Sequence, residues 1–377
     1  MDAGGAAGGN GSGGGSRLRG SPEESHGVNP RVITRAFHSW ERRLASAATN
    51  RQIRPFEWGL DWLSSDPVMR RLTESTPAAS RDPRSLLQIW GEENVADSAH
   101  FYDVSPADDY TLERDLLTFT SAVQTPHADN NLVRARYFPE RSPRGRRRAV
   151  VVLPQWNADA EGHVGLCRLL NRFGTTALRL SLPYHDARMP PELTRADYIV
   201  SANVGRTAQV CRQAVLDARR CIAWLHGKGY ESIGILGTSL GSCLAMLTTA
   251  HEPLVRAAAL NHISPYFADV VWEGLSTAHV RASLEGNVTL DELRRMWLPI
   301  SPLPFLDKVA GRNILLVYAL YDLTFPVHLS RMLVNEFRSR RIAHRLSILP
   351  CGHYSTGVSP FKWMDAIALC RFLSRSL

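Results

Sequence analysis

Residues 233–243 read IGILGTSLGSC, an apolar run that enters Gly237-Thr238-Ser239-Leu240-Gly241 and then takes on helix-like spacing. A hydroxyl between two glycines, where a buried strand turns into a helix, is placed for nucleophilic attack. The glycines give room where backbone and side chains crowd, and glycine tolerates the strained dihedrals of such a bend. The helix beyond offers unsatisfied N–H groups and a positive dipole end to a developing anion. A serine capping a helix after a glycine turn would use the same residues. The two readings separate on whether the chain supplies a base and an acid, because a serine hydroxyl is a poor nucleophile near neutral pH.

Both partners have candidates at strand ends. Ile314–Ala319 is a continuous apolar strand that leads into Leu320-Tyr321-Asp322-Leu323-Thr324-Phe325-Pro326, so Asp322 falls at the carboxyl edge of a sheet. Pro326 suits the first turn of a following helix, which leaves a capping role for Asp322 open beside the catalytic one. Arg345–Leu349 leads into Pro350-Cys351-Gly352-His353, which puts His353 in the loop after the final strand. Of the competing histidines, His262 follows a strand too early in the order, His328 falls inside the helix after Asp322, and His344 opens a strand. His353 is the predicted base.

With these residues in place, the chain resembles the α/β-hydrolase superfamily over about residues 130–377. The G-x-S-x-G elbow between strand and helix, and the order Ser239, Asp322, His353, carry the resemblance. It implies a serine hydrolase in which His353 deprotonates Ser239, Asp322 orients the imidazole, and an acyl-enzyme is hydrolysed. The oxyanion would be held by the amide of Leu240 and by a second amide from Pro154-Gln155-Trp156-Asn157, with Trp156 favoured and Gln155 or Asn157 open. A carboxylic ester is the substrate class that the superfamily's commonest chemistry implies, as a small-molecule acyl substrate, with no metal or organic cofactor. Many members carry His-Gly where this chain has Pro154-Gln155. That departure supports the alternative, a hydrolase fold with a degraded site used for binding or scaffolding.

The surrounding pattern fits the same architecture. Residues 1–28 are a Gly/Ser-rich tail expected to be disordered. Residues 29–129 read as a helical extension packed on the core, divided by Pro67, Pro77 and Pro83 and rich in aromatics over Arg54–Leu63. From residue 130, strands alternate with helices. Leu132–Phe138, Ala149–Leu153, Thr176–Leu182, Ser232–Leu236 and Ala257–Leu260 read as strands. His163–Phe173, Val210–Leu225, Leu240–Ala250 and Pro360–Leu377 read as helices. The rhythm predicts a mostly parallel sheet with helices on both faces. Residues 262–311 interrupt it, with amphipathic pieces such as Leu290–Trp297, and are expected to form a helical cap or lid.

Composition narrows the remaining classes. The net charge is +8, yet only three of the 44 basic residues are lysines, a bias expected of a GC-rich genome. The dense cluster Arg141–Arg148 reads as a solvated turn between strands, and no nucleic-acid motif accompanies it, so no nucleic-acid partner is expected. No apolar run reaches the roughly 20 residues that span a bilayer, and the N-terminus lacks a signal-peptide core, so the expected location is cytoplasmic. The six cysteines have no metal-ligand spacing and sit in apolar stretches, as small buried hydrophobes do. Tyr184, His185 and Arg188 follow the strand at Thr176–Leu182 and are candidates for the pocket entrance or for plain surface structure.

Overall fold

The computed structural model describes residues 30–140 and 146–377. The tail of residues 1–28 and most of the Arg141–Arg148 cluster lie outside the described residues. A nine-stranded sheet runs in the spatial order β1-β2-β3-β5-β4-β6-β7-β8-β9. Its strands are β1 (Thr111–Glu113), β2 (Leu116–Thr120), β3 (Leu132–Phe138), β4 (Arg148–Leu153), β5 (Thr176–Leu180), β6 (Ser232–Thr238), β7 (Val255–Asn261), β8 (Asn313–Ala319) and β9 (Arg345–Leu349). From β5 to β9 every pairing is parallel, and β1, β2 and β3 add an antiparallel edge.

The continuous apolar strands are the central ones, because a parallel strand is covered on both faces. Along β4, Val151 and Leu153 enter one hydrophobic core while Val150 and Val152 enter the other. The first core is covered by α7 (Val204–Gly227) and α8 (Leu240–His251), the second by α6 (Val164–Arg172) and α13 (Phe361–Ser376). The link from β7 to β8 carries α9 (Phe267–Glu273), α10 (Ala278–Leu284) and α11 (Leu290–Met296), within the span expected to form a cap. The helix α12 (Val327–Ser339) joins β8 to β9. All six cysteines are buried and free. Among the described residues, no helix is long and apolar enough to cross a membrane.

The N-terminal region holds α1 (Pro30–Ala45), α2 (Pro67–Ser75), α3 (Pro83–Ala96), α4 (Ser98–Phe101) and α5 (Ala128–Asn131). Pro67 and Pro83 do not simply divide it. Each opens a helix whose first N–H groups are capped by the preceding Asp66 or Asp82. One expectation needs correction: the sheet starts before residue 130, because β1 and β2 belong to it. The signal was short. β1 is three exposed residues, and the turn to β2 places Arg114 at φ 57°, so little apolar alternation marks the hairpin.

Candidate active site

Strands β4, β6, β7, β8 and β9 are neighbours in that order, so the loops at their carboxyl ends form one rim. Along that rim stand Trp156, Ser239, His262, Asp322 and His353. Rims of this kind are where open parallel sheets bind ligands.

Ser239 occupies the bend between β6 and α8 at φ 56°, ψ −119°, a conformation costly for any residue with a Cβ. The bend is held by the Ser239 N–H, which donates to the Asn261 carbonyl at 2.8 Å. The flanking glycines are steric necessities. A Cβ on Gly237 would lie 2.0 Å from the Gly241 carbonyl oxygen, and one on Gly241 would lie 2.2 Å from that of Leu153. The second contact shows that the elbow is packed directly against the end of β4, which brings the 154–157 loop beside the start of α8. His163 Nε2 holds Thr238 Oγ1 at 3.0 Å, next to the bend.

Asp322 and His353 are in contact. His353 Nδ1 lies 3.0 Å from Asp322 Oδ2. The other oxygen, Oδ1, accepts the backbone N–H groups of Thr324 and Phe325 at 2.8 and 2.7 Å. Asp322 therefore pins its own turn with one oxygen and meets the imidazole with the other, but it does not cap the following helix, whose N-cap is Pro326 with no side-chain bond. Ser239 and His353 line the same cavity, with no hydrogen bond between the Ser239 hydroxyl and the imidazole. Such contacts often tighten only when substrate fills the site.

His262, set aside on order alone, reaches the same carboxylate. Its Nδ1 lies 2.8 Å from Asp322 Oδ2, and its ring centroid is 4.6 Å from that of His353. It directly follows β7 at φ 57°, with its carbonyl accepting from Ser242 Oγ at 2.7 Å. Its signal was its place immediately after a strand on the same sheet edge. Burial alone would raise the Asp322 carboxyl, but the nearby His353 and the hydrogen bonds from His262 and His353 hold it well below the usual carboxylate range. Burial opposes charge on His262, yet its hydrogen bond and attraction to Asp322, with Asp365 and Glu41 further off, leave it above its ordinary value. These three side chains could also hold a metal ion, their ligand atoms lying within 4.8 Å of one another; the two imidazole–carboxylate hydrogen bonds already account for them.

The cavity measures about 670 Å³. Its apolar lining includes Val200, Leu240, Cys243, Phe267, Val270 and Val271, the last three from α9. The loop after β4 contributes Gln155, Trp156 and Asn157. The Asn157 amide already donates to His185 Nε2 at 3.0 Å, which leaves Gln155 and Trp156 as the amides of this loop to be weighed as oxyanion donors. The Trp156 side chain is fixed through its Nε1 to the Ala196 carbonyl at 2.8 Å.

Tyr184, His185 and Arg188 neither line the entrance nor lie on the surface. All three are buried, and Arg188 pairs with the buried Asp217 at 2.8 Å. His328 is exposed and pairs with Glu273 at 3.0 Å. Asp365 of α13, which also lines the cavity, accepts from Asn261 Nδ2 at 2.8 Å, while its other oxygen has no hydrogen-bond partner among the described residues. Burial pushes this carboxyl up from 3.8 to about 6, against the pull of His262 and the Asn261 hydrogen bond. A carboxyl raised by folding favours the fold while neutral and penalises it once ionised. At about 1.4 kcal/mol per pKa unit, ionisation costs up to about 3 kcal/mol. Asp365→Asn is therefore expected to raise the melting temperature above pH 6. The gain should fade as pH falls below about 4, which thermal melts across that range would check.

No family model and no curated protein matches this chain at a significant level. Solved structures do match. Acetyl xylan esterase 1 from a Thermoanaerobacterium species aligns with TM-score 0.56 and 14% identity, over 76% of this chain and 93% of that one. Acetyl xylan esterase from a Paenibacillus species aligns with TM-score 0.56 and 11% identity, over 82% and 99%. The acylaminoacyl peptidase of Pyrococcus horikoshii aligns with TM-score 0.55 and 15% identity, over 74% of this chain but 43% of the peptidase. Sheet order, elbow and these alignments agree: the chain has the α/β-hydrolase fold.

Proposed function

We propose that this chain is a serine hydrolase that cleaves a carboxylic ester through Ser239, His353 and Asp322. The observation that carries the reading is the 3.0 Å contact of His353 Nδ1 with a buried, ionised Asp322, on the cavity that Ser239 faces from a strained elbow. Asp322 fixes the tautomer that leaves His353 Nε2 free to take the serine proton. Ser239 Oγ attacks the acyl carbonyl, and the amide of Leu240 with that of Trp156 or Gln155 receives the oxyanion. The His353 imidazolium gives its proton to the leaving alcohol. Water then attacks the acyl-enzyme, with His353 as base again, and the acid departs.

The ester assignment draws on the two neighbours named as esterases, and the apolar wall of Leu240, Phe267, Val270 and Val271 suits the acyl side of such a substrate. A fluorophosphonate probe together with p-nitrophenyl esters of graded chain length tests the reading. Expected are stoichiometric labelling of the wild type, none of Ser239→Ala, and turnover that rises with acyl length until the apolar wall is filled. A folded wild type that takes no label would instead support a hydrolase fold used for binding.

A further inference from the structure

The loop that follows β9 bonds partly to itself, with Ser355 Oγ accepting the Gly352 N–H at 2.8 Å and Thr356 Oγ1 donating to the Gly352 carbonyl at 2.7 Å. Its backbone is completed by the N-terminal helix. Glu41 of α1 is fully buried, and its two carboxylate oxygens accept the N–H groups of Tyr354 and Ser355 at 2.8 and 2.9 Å. These are the two residues directly after His353. On the other side of His353, Gly352 packs so tightly against Glu41 that a Cβ there would lie 2.3 Å from the carboxylate carbon. The same helix reaches the acid loop, where the Phe37 ring stacks on Tyr321 with centroids 4.3 Å apart and planes 8° from parallel. Tyr321 immediately precedes Asp322, and its N–H donates to the Cys351 carbonyl at 2.9 Å. Tyr354 is held again through its hydroxyl, by Arg51 Nη2 at 3.0 Å and Ser276 Oγ at 2.7 Å.

We propose that Glu41 is a positioning residue for His353: the N-terminal helix fixes the base loop against the acid loop, so the extension is part of the active site. The inference rests on the Ser239–His353–Asp322 reading above. Its physical basis is that a buried carboxylate needs strong donors, and two backbone N–H groups supply them only when the loop has this one conformation. Loss of the carboxylate removes the two anchors directly after the imidazole and loosens the segment that carries it. Displacements of about 1 Å in a catalytic group can cost about a hundredfold in rate. Because Glu41 touches neither Ser239 nor the apolar wall, the loss should fall on kcat and leave KM in place.

The test measures kcat, KM, melting temperature and the fluorophosphonate labelling rate per folded molecule in the full chain. Glu41→Ala is expected to lower kcat and the labelling rate about 30- to 100-fold with KM within about twofold. Glu41→Gln keeps the shape but only one acceptor, and should lose about fivefold to tenfold, so it answers the question even if the alanine variant folds poorly. Gly352→Ala drives a methyl into the carboxylate and should also slow labelling, whereas Glu41→Ala/Gly352→Ala should be no slower than the slower of the two single variants. A Glu41→Gln enzyme with wild-type kcat, or losses that simply add in the double variant, would overturn the inference while leaving the triad intact. A wild type that takes no label would remove both together.

Discussion

Ser239→Ala is expected to lower ester turnover by about four to six orders of magnitude and His353→Ala by a similar factor, with the double variant no worse than either. Non-additivity follows because neither group acts alone: the hydroxyl without a base is a weak nucleophile, and the base without the hydroxyl has nothing to activate. Stability should hardly move in Ser239→Ala. The substitution keeps the Cβ, and hence the strain, at φ 56°, and it leaves the N–H bond to the Asn261 carbonyl in place. Steady-state kinetics on a p-nitrophenyl ester, read beside thermal melts, separates lost chemistry from lost fold. Turnover above about a thousandth of wild type in His353→Ala would transfer the base role to His262. That ring is the one already bonded to the same carboxylate oxygen.

Why the places of Ser239, Asp322 and His353 on one rim could be read from the chain, and the contacts of His262 and Glu41 could not, has a physical answer. The first three lie after apolar runs whose period marks a buried strand, and each sits within a few residues of a strand end. Position along the chain then nearly fixes position on the rim. His262 satisfies the same local condition, directly after β7, but chain order says nothing about side-chain reach across neighbouring strand ends. Its approach to Asp322 depends on a left-handed backbone at residue 262, which no apolar period encodes. Glu41 is harder still. It lies 313 residues from Tyr354 in sequence, on a helix whose periodicity specifies a buried face but not what covers it. The β1–β2 hairpin went unread for the opposite reason, since β1 is too short and too exposed to carry a period at all.

Asp322→Asn should be nearly as damaging as loss of the base, with kcat down about 10³- to 10⁴-fold and the protein still folded. The two oxygens of Asp322 are not equivalent. Oδ1 accepts two backbone N–H groups, from Thr324 and Phe325, and Oδ2 accepts from the two imidazoles. An asparagine must put its carbonyl toward the backbone donors, because an NH₂ group there would face two further N–H groups. Its own NH₂ then points at the Nδ1 atoms of His262 and His353 and favours the tautomer with the proton on Nε2. In that tautomer His353 cannot accept the Ser239 proton. His262→Gln should cost far less, about tenfold or under, because Asp322 keeps its His353 contact and both backbone donors. The asparagine variant also bears on acid stability. The fold holds Asp322 below its ordinary value, so its ionised form contributes stability that is present above the unfolded carboxyl value and is lost as pH falls through the depressed one. Asp322→Asn should flatten that acid limb in thermal melts while abolishing turnover at neutral pH. Turnover within tenfold of wild type in Asp322→Asn would show that the carboxylate does not set the tautomer of the base.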